Sequence, residues 1–156
     1  MMQYKKILVP YDGSRQSDKA LQHALDIAKH IKGSKLTILH VIQDIPRPPY
    51  FQYEPEGATG KTSAQHLKEI YYGMKAGAEK MLARKKDACM RSGVETTTKV
   101  ALGKVSDVVI EHIKANKIEL VVLGTTGLGG ISRIKALGSV ARNIAEKAGC
   151  PVLLVH

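Results

Sequence analysis

The chain has 156 residues, 44% of them apolar and 24% charged. That length and composition suit one globular domain with its own core and exclude a mainly disordered chain. Twenty-four Lys and Arg against fourteen Asp and Glu leave a net charge of +10, which favours anionic partners without choosing among them.

Ile7-Leu8-Val9 is a short apolar, β-branched run that stops at Pro10, and Asp12-Gly13-Ser14 marks a turn. This predicts a first, buried strand. Ser14 or Ser17 can cap the helix that follows, because a hydroxyl oxygen there accepts from an otherwise unpaired N–H. Ala20, Leu21, Ala24, Ile27, Ala28 and Ile31 recur at helical spacing, and Gly33 closes the helix. Leu36 to Ile42 is a second apolar strand. Residues 44 to 61 carry Pro46, Pro48, Pro49, Pro55, Gly57 and Gly60, which exclude a regular element; loops of that length are usually functional.

From about Ser63 to Arg91 the pattern is helical, with Leu67, Ile70, Tyr71, Met74, Ala78, Met81, Leu82 and Cys89 on one expected core face. Val94 to Ala101 alternates and is rich in β-formers, predicting a third strand. A third helix is expected over Val105 to Ala115, with Val108, Val109, His112 and Ile113 inward. Leu120 to Leu123 is a fourth strand. A glycine-rich loop over residues 124 to 138 precedes a fourth helix, Ser139 to Ala148, and Val152 to Val155 is the last strand. Strands alternating with helices predict a single α/β domain over residues 1–156. Its sheet has five parallel strands, helices on both faces and right-handed crossovers.

No apolar run reaches membrane-spanning length, so no membrane partner is expected. Residues 1–6 show no leader pattern, and the expected setting is the cytoplasm. Cys89 and Cys150 form no Cys-x-x-Cys pair and are expected to be reduced, mostly buried thiols. The six histidines show no zinc-ligand spacing. The basic group Lys80, Arg84, Lys85, Lys86 and Arg91 reads as a solvated helix face. The missing aromatic interleaving there argues against a nucleic-acid partner.

Ligands of open parallel sheets bind beyond the carboxyl ends of the strands, where strand order reverses. Three segments fall at such ends: Pro10 to Ser14, His40 to Ile42, and Gly124 to Gly127. The last continues to Gly138-Ser139-Val140, where a helix opens. Glycines let backbone approach phosphate oxygens, and a helix N-terminus favours anions. Arg133 and Lys135 supply charge nearby. The alternative for this loop is a plain connection capped by Ser139, and for Asp12 an Asx turn with its own backbone. Gly57-Ala-Thr-Gly60-Lys61-Thr62 resembles the end of a phosphate-binding P-loop, but Pro55 stands where that motif needs glycine.

Five segments in order resemble the universal stress protein family: Lys5 to Ser14, Leu39-His40-Val41, Val121 to Gly127, Leu137 to Ala141, and Cys150 to Val155. The resemblance covers the whole chain. It implies a homodimer and, in one branch, bound ATP. That branch has Gly, two residues, Gly, nine residues, Gly, then Ser or Thr. Gly124, Gly127 and Gly138-Ser139 fit, with ten residues rather than nine between Gly127 and Gly138. Carried over, Asp12 would contact the nucleoside or help hold Mg2+, and Pro10 and Val41 would frame the adenine. Gly124, Gly127, Gly138, Ser139 and Val140 would hold ribose and phosphates. Glu119, where the family more often has Asp, and Val105, where Pro often starts the third helix, look structural.

The function expected is an ATP- or AMP-binding, dimeric regulatory module of the stress response, pairing through its last strand. The alternatives are a weak Mg2+-dependent ATP hydrolase and an interaction module that takes no nucleotide.

Overall fold

A computed structural model describes residues 4–43, 63–126 and 137–156. The Pro-rich segment 44–61, and Gly127, Arg133 and Lys135 of the glycine-rich loop, lie outside the described residues. The elements are β1 (Lys6–Pro10), α1 (Arg15–Lys29), β2 (Lys35–Ile42), α2 (Ser63–Arg91), β3 (Glu95–Leu102), α3 (Val105–Asn116), β4 (Leu120–Gly124), α4 (Ser139–Lys147) and β5 (Val152–Val155).

All strand pairs are parallel, in the order β3-β2-β1-β4-β5. The chain winds outward from β1 to β3, then returns across to β4 and β5. With one handedness of crossover, that reversal puts the helices of the two halves on opposite faces. Ile7, Val9, Leu36, Ile38 and Val122 pack beneath α1 and α2, with Ala20, Ala24, Ala28, Leu82 and Cys89. Leu8, Leu39, Val121 and Leu123 pack beneath α3 and α4, with Val109, Ile113, Ala141 and Ile144. Ile7, Leu8 and Val9 are all fully buried, which is why β1 reads as an unbroken apolar run.

Local chemistry sets the element ends. Ser14 is the N-cap of α1: its hydroxyl oxygen accepts from the Ser17 N–H at 3.1 Å. Glu119 secures the start of β1. One carboxylate oxygen accepts from the N–H groups of Lys5 and Lys6, while the Glu119 N–H donates to the Lys6 carbonyl at 2.9 Å. The position is structural, as expected. Val105 is simply the first residue of α3.

Two expectations about helices are corrected. The apolar face of α2 is not a single core face. Ala78, Leu82 and Cys89 are buried, but Ile70 is 52% and Met74 43% exposed, and Leu67 and Tyr71 are half-buried. The fully buried apolar residues of α2 all lie from Ala78 onward, in its C-terminal part. Lys85 is not merely solvated either; it is half-buried in an ion pair with Asp18.

Leu82→Ala should cost about 2–5 kcal/mol of unfolding free energy, as expected for a fully buried leucine. Met74→Ala, a change of the same chemical class about two turns earlier on the same helix, should cost under about 0.5 kcal/mol because Met74 is exposed. Urea denaturation of the two variants checks the contrast.

Candidate nucleotide site

The carboxyl ends of β1 and β4 diverge at the reversal of strand order, and the expected site residues gather around them. Pro10 is the last residue of β1 and aligns with Leu39; Val41 lies two positions further along β2, aligned with Ala101 of β3. Val41 is half-buried against the α3–α4 cluster, so it is part of the sheet packing as well as a candidate adenine neighbour. Asp12 follows β1, and its Oδ1 accepts from the Ser14 N–H at 2.9 Å. The Asx turn weighed from the sequence is therefore present, and it aims the backbone into α1.

Gly124 ends β4. A Cβ there would lie 2.7 Å from the Gln16 Cβ, so glycine allows α1 to lie directly on the strand end. Beyond it, the Thr125 N–H donates to the Val155 carbonyl at 3.0 Å, and the Thr125 carbonyl accepts from the Gly138 N–H at 2.8 Å. The first bond joins the end of β4 to the end of β5, and the second ties the start of α4 to the same point. The N-cap of α4 is Gly138, not Ser139; no side chain caps this helix, and Ser139 is its exposed first residue. Val140 is 39% exposed. The start of α4 therefore presents backbone N–H groups and the Ser139 hydroxyl, unlike α1, whose first turn is closed by Ser14. An open depression of about 390 Å3 lies beside it, lined by Leu137, Ser139, Arg142, Asn143 and Glu146. The structure thus brings Pro10, Asp12, Val41, Gly124, Gly138, Ser139 and Val140 to the carboxyl edge. Gly127 lies outside the described residues.

Sequence reasoning missed Tyr11. Its ring is buried on the α1–α2 side, its hydroxyl donates to Asp18 Oδ1 at 2.6 Å, and Lys85 Nζ donates to the same oxygen at 2.7 Å. Lys85 also stands 5.7 Å from the centre of the Tyr11 ring. Burial and then the Asp18 hydrogen bond push the Tyr11 phenol up to about 12, against the opposing pull of Lys85. Burial alone would raise the Asp18 carboxyl, but the hydrogen bonds from Lys85 and Tyr11 and the Lys85 charge outweigh it and hold the group below its ordinary value. The Asp18 hydrogen bond raises the Lys85 ammonium in spite of desolvation. The only signal for this triad was i to i+7 spacing across the β1–α1 turn, plus a lysine from another helix that no local pattern could place. Among the described residues, no group of three or more His, Cys, Asp or Glu could hold a metal ion. No described helix is long and apolar enough to cross a membrane.

The model of the universal stress protein family matches residues 3–156. The chain belongs to the universal stress protein family. A universal stress protein of Methanocaldococcus jannaschii is 33% identical over 152 residues, spanning 97% of this chain and 82% of the relative. The solved UspA of Lactobacillus plantarum has a TM-score of 0.84 at 24% identity, covering 100% of both chains. A universal stress protein solved in complex with cAMP is 25% identical, with a TM-score of 0.64 over 99% of this chain and 98% of its own. Two further structures share the fold: one from Archaeoglobus fulgidus with dAMP (21% identity, TM-score 0.62, 99% and 100% covered) and one from Arabidopsis thaliana with AMP (17%, 0.64, 97% and 90%).

In this family member the Tyr11–Asp18–Lys85 triad should leave a measurable pH signature. The lowered Asp18 value contributes stability above its ordinary 3.8, lost as pH falls through the folded value. The raised Tyr11 and Lys85 values contribute stability below their ordinary 10.0 and 10.5, lost as pH rises through the folded values, about 12 for Tyr11. Lys85→Met should cost about 0.5–1 kcal/mol at neutral pH, a screened figure because both partners are part-exposed. That difference should disappear at both pH extremes in denaturation titrations. Separately, Gly124→Ala should destabilise by roughly 1–3 kcal/mol, since the new methyl meets α1.

Proposed function

We propose that this universal stress protein binds an adenine nucleotide, ATP first and AMP second, at the carboxyl edge between β1 and β4. The observation that carries the reading is the start of α4. Glycine caps it without a side chain, and two backbone hydrogen bonds through Thr125 anchor it beside the strand ends. An anion there meets aligned N–H groups and the positive end of the helix. The Gly138-Ser139-Val140 sequence and the cAMP, dAMP and AMP held by proteins of this fold support the same ligand class.

In this reading Pro10 and Val41 flank the base and Asp12 faces the nucleoside. Gly124, Gly127, Gly138, Ser139 and Val140 take ribose and phosphates. Mg2+ would arrive with the phosphates and be met by Asp12, since a magnesium–phosphate pair typically needs only one or two carboxylates from the protein. When bound, the ion would neutralise phosphate charge. The role is regulatory and cytoplasmic, with ligand state read out by a homodimer paired through β5. That strand is at the sheet edge and half-exposes Leu153, leaving backbone groups to pair with a second copy.

The test begins with protein purified without added nucleotide, denatured, and its supernatant analysed by ion-exchange chromatography with mass detection. Calorimetric titration with ATP and AMP follows, with and without Mg2+. Ser139→Asp is the informative variant, because alanine at Gly138 would bring a methyl to 3.0 Å of the Thr125 carbonyl and disturb the fold. A carboxylate at Ser139 suits the helix dipole but repels phosphate, so it should weaken nucleotide binding about tenfold or more without lowering the melting temperature. Wild-type protein that takes up neither nucleotide overturns the reading.

A further inference from the structure

We infer that His40 is the positioning residue of the site: its imidazole holds the peptide that carries Asp12, and so sets nucleotide affinity without touching the ligand. This rests on the nucleotide-binding reading above. Tyr11 extends the β1 ladder one residue past the strand, its N–H donating to the Leu39 carbonyl at 2.8 Å. There the regular pairing gives way to a side chain. The Tyr11 carbonyl accepts from His40 Nδ1 at 2.8 Å. A carbonyl oxygen only accepts, so Nδ1 must carry the proton, and a neutral ring then has Nε2 as its acceptor.

The next residue is Asp12. It is therefore held on both sides. Before it, the carbonyl of the 11–12 peptide is fixed by His40. After it, Asp12 Oδ1 accepts from the Ser14 N–H at 2.9 Å. Between them Gly13 has φ +81°, and the Met81 sulfur of α2 lies 3.1 Å from where a side chain would begin. The Tyr11 side chain cannot swing to compensate, because its hydroxyl is engaged by Asp18 and its ring is buried. His40 is the one side chain from β2 that reaches this turn through a described hydrogen bond. Without that bond a part-buried carbonyl loses its partner, and the turn that presents Asp12 loosens.

The test uses the full chain with three variants. His40→Asn places an amide N–H where imidazole Nδ1 stands. His40→Gln reaches the Nε2 position instead. His40→Leu keeps bulk and donates nothing. Nitrogen-15 NMR of the ligand-free protein should show His40 as the Nδ1-protonated tautomer. Amide hydrogen exchange at Ser14 should speed about tenfold or more in His40→Leu and His40→Gln. AMP binding, measured by calorimetry, should weaken about tenfold in the same two variants, and His40→Asn should return both readouts to within about threefold of wild type. Melting curves confirm that each variant folds. Unchanged exchange and unchanged affinity in His40→Leu overturn the inference, as does rescue by glutamine rather than asparagine. If wild-type protein binds neither nucleotide, the functional reading fails. Hydrogen exchange and the tautomer then still decide whether His40 holds the turn.

Discussion

Everything in this molecule depends on the burial of β1. A parallel strand with neighbours on both sides and helices above and below has no solvent face, and Ile7, Leu8 and Val9 meet that demand with three fully buried side chains. Because β1 is the middle strand, its neighbours belong to the two halves of the winding, and the connections leave its carboxyl end in opposite directions. A crevice at that end follows from the topology alone. Glu119 secures the other end of β1, so the strand is pinned where it starts and opens where it finishes.

The crevice is shaped by three close approaches. Gly124 lets α1 rest against the end of β4; Thr125 links β4 to β5 and to the start of α4; Tyr11 joins the β1 turn to α1 and, through Lys85, to α2. The candidate site thus draws on elements on both faces of the sheet. Tyr11 stands at the centre of this arrangement. Its backbone bonds to β2 and its side chain to Asp18, whose carboxylate also holds Lys85.

The long helix shows how far local pattern carries. Its apolar positions continue at helical spacing from Leu67 to Cys89, yet the sheet beneath it covers only the later ones. Periodicity reports that a face is apolar. It does not report how far along the helix the covering partner surface extends. The same limit applies to the charged residues of α2: Lys85 looks like its neighbours in the sequence and differs only because Asp18 lies across from it.

The sequence by itself determined the order and type of the elements, because strand and helix periods differ and the turns carry Gly, Pro, Asp and Ser. It also determined the family, that Gly124 closes a strand and that Asp12 follows one. Only the tertiary structure decided that Gly138 rather than Ser139 caps α4, that Gly124 is needed for the approach of Gln16, and that His40 and Lys85 reach the β1 turn. Those are contacts between residues from 29 (His40 to Tyr11) to 108 (Gly124 to Gln16) positions apart, or are set by backbone direction at a helix start, and neighbouring sequence carries no record of what lies across a fold.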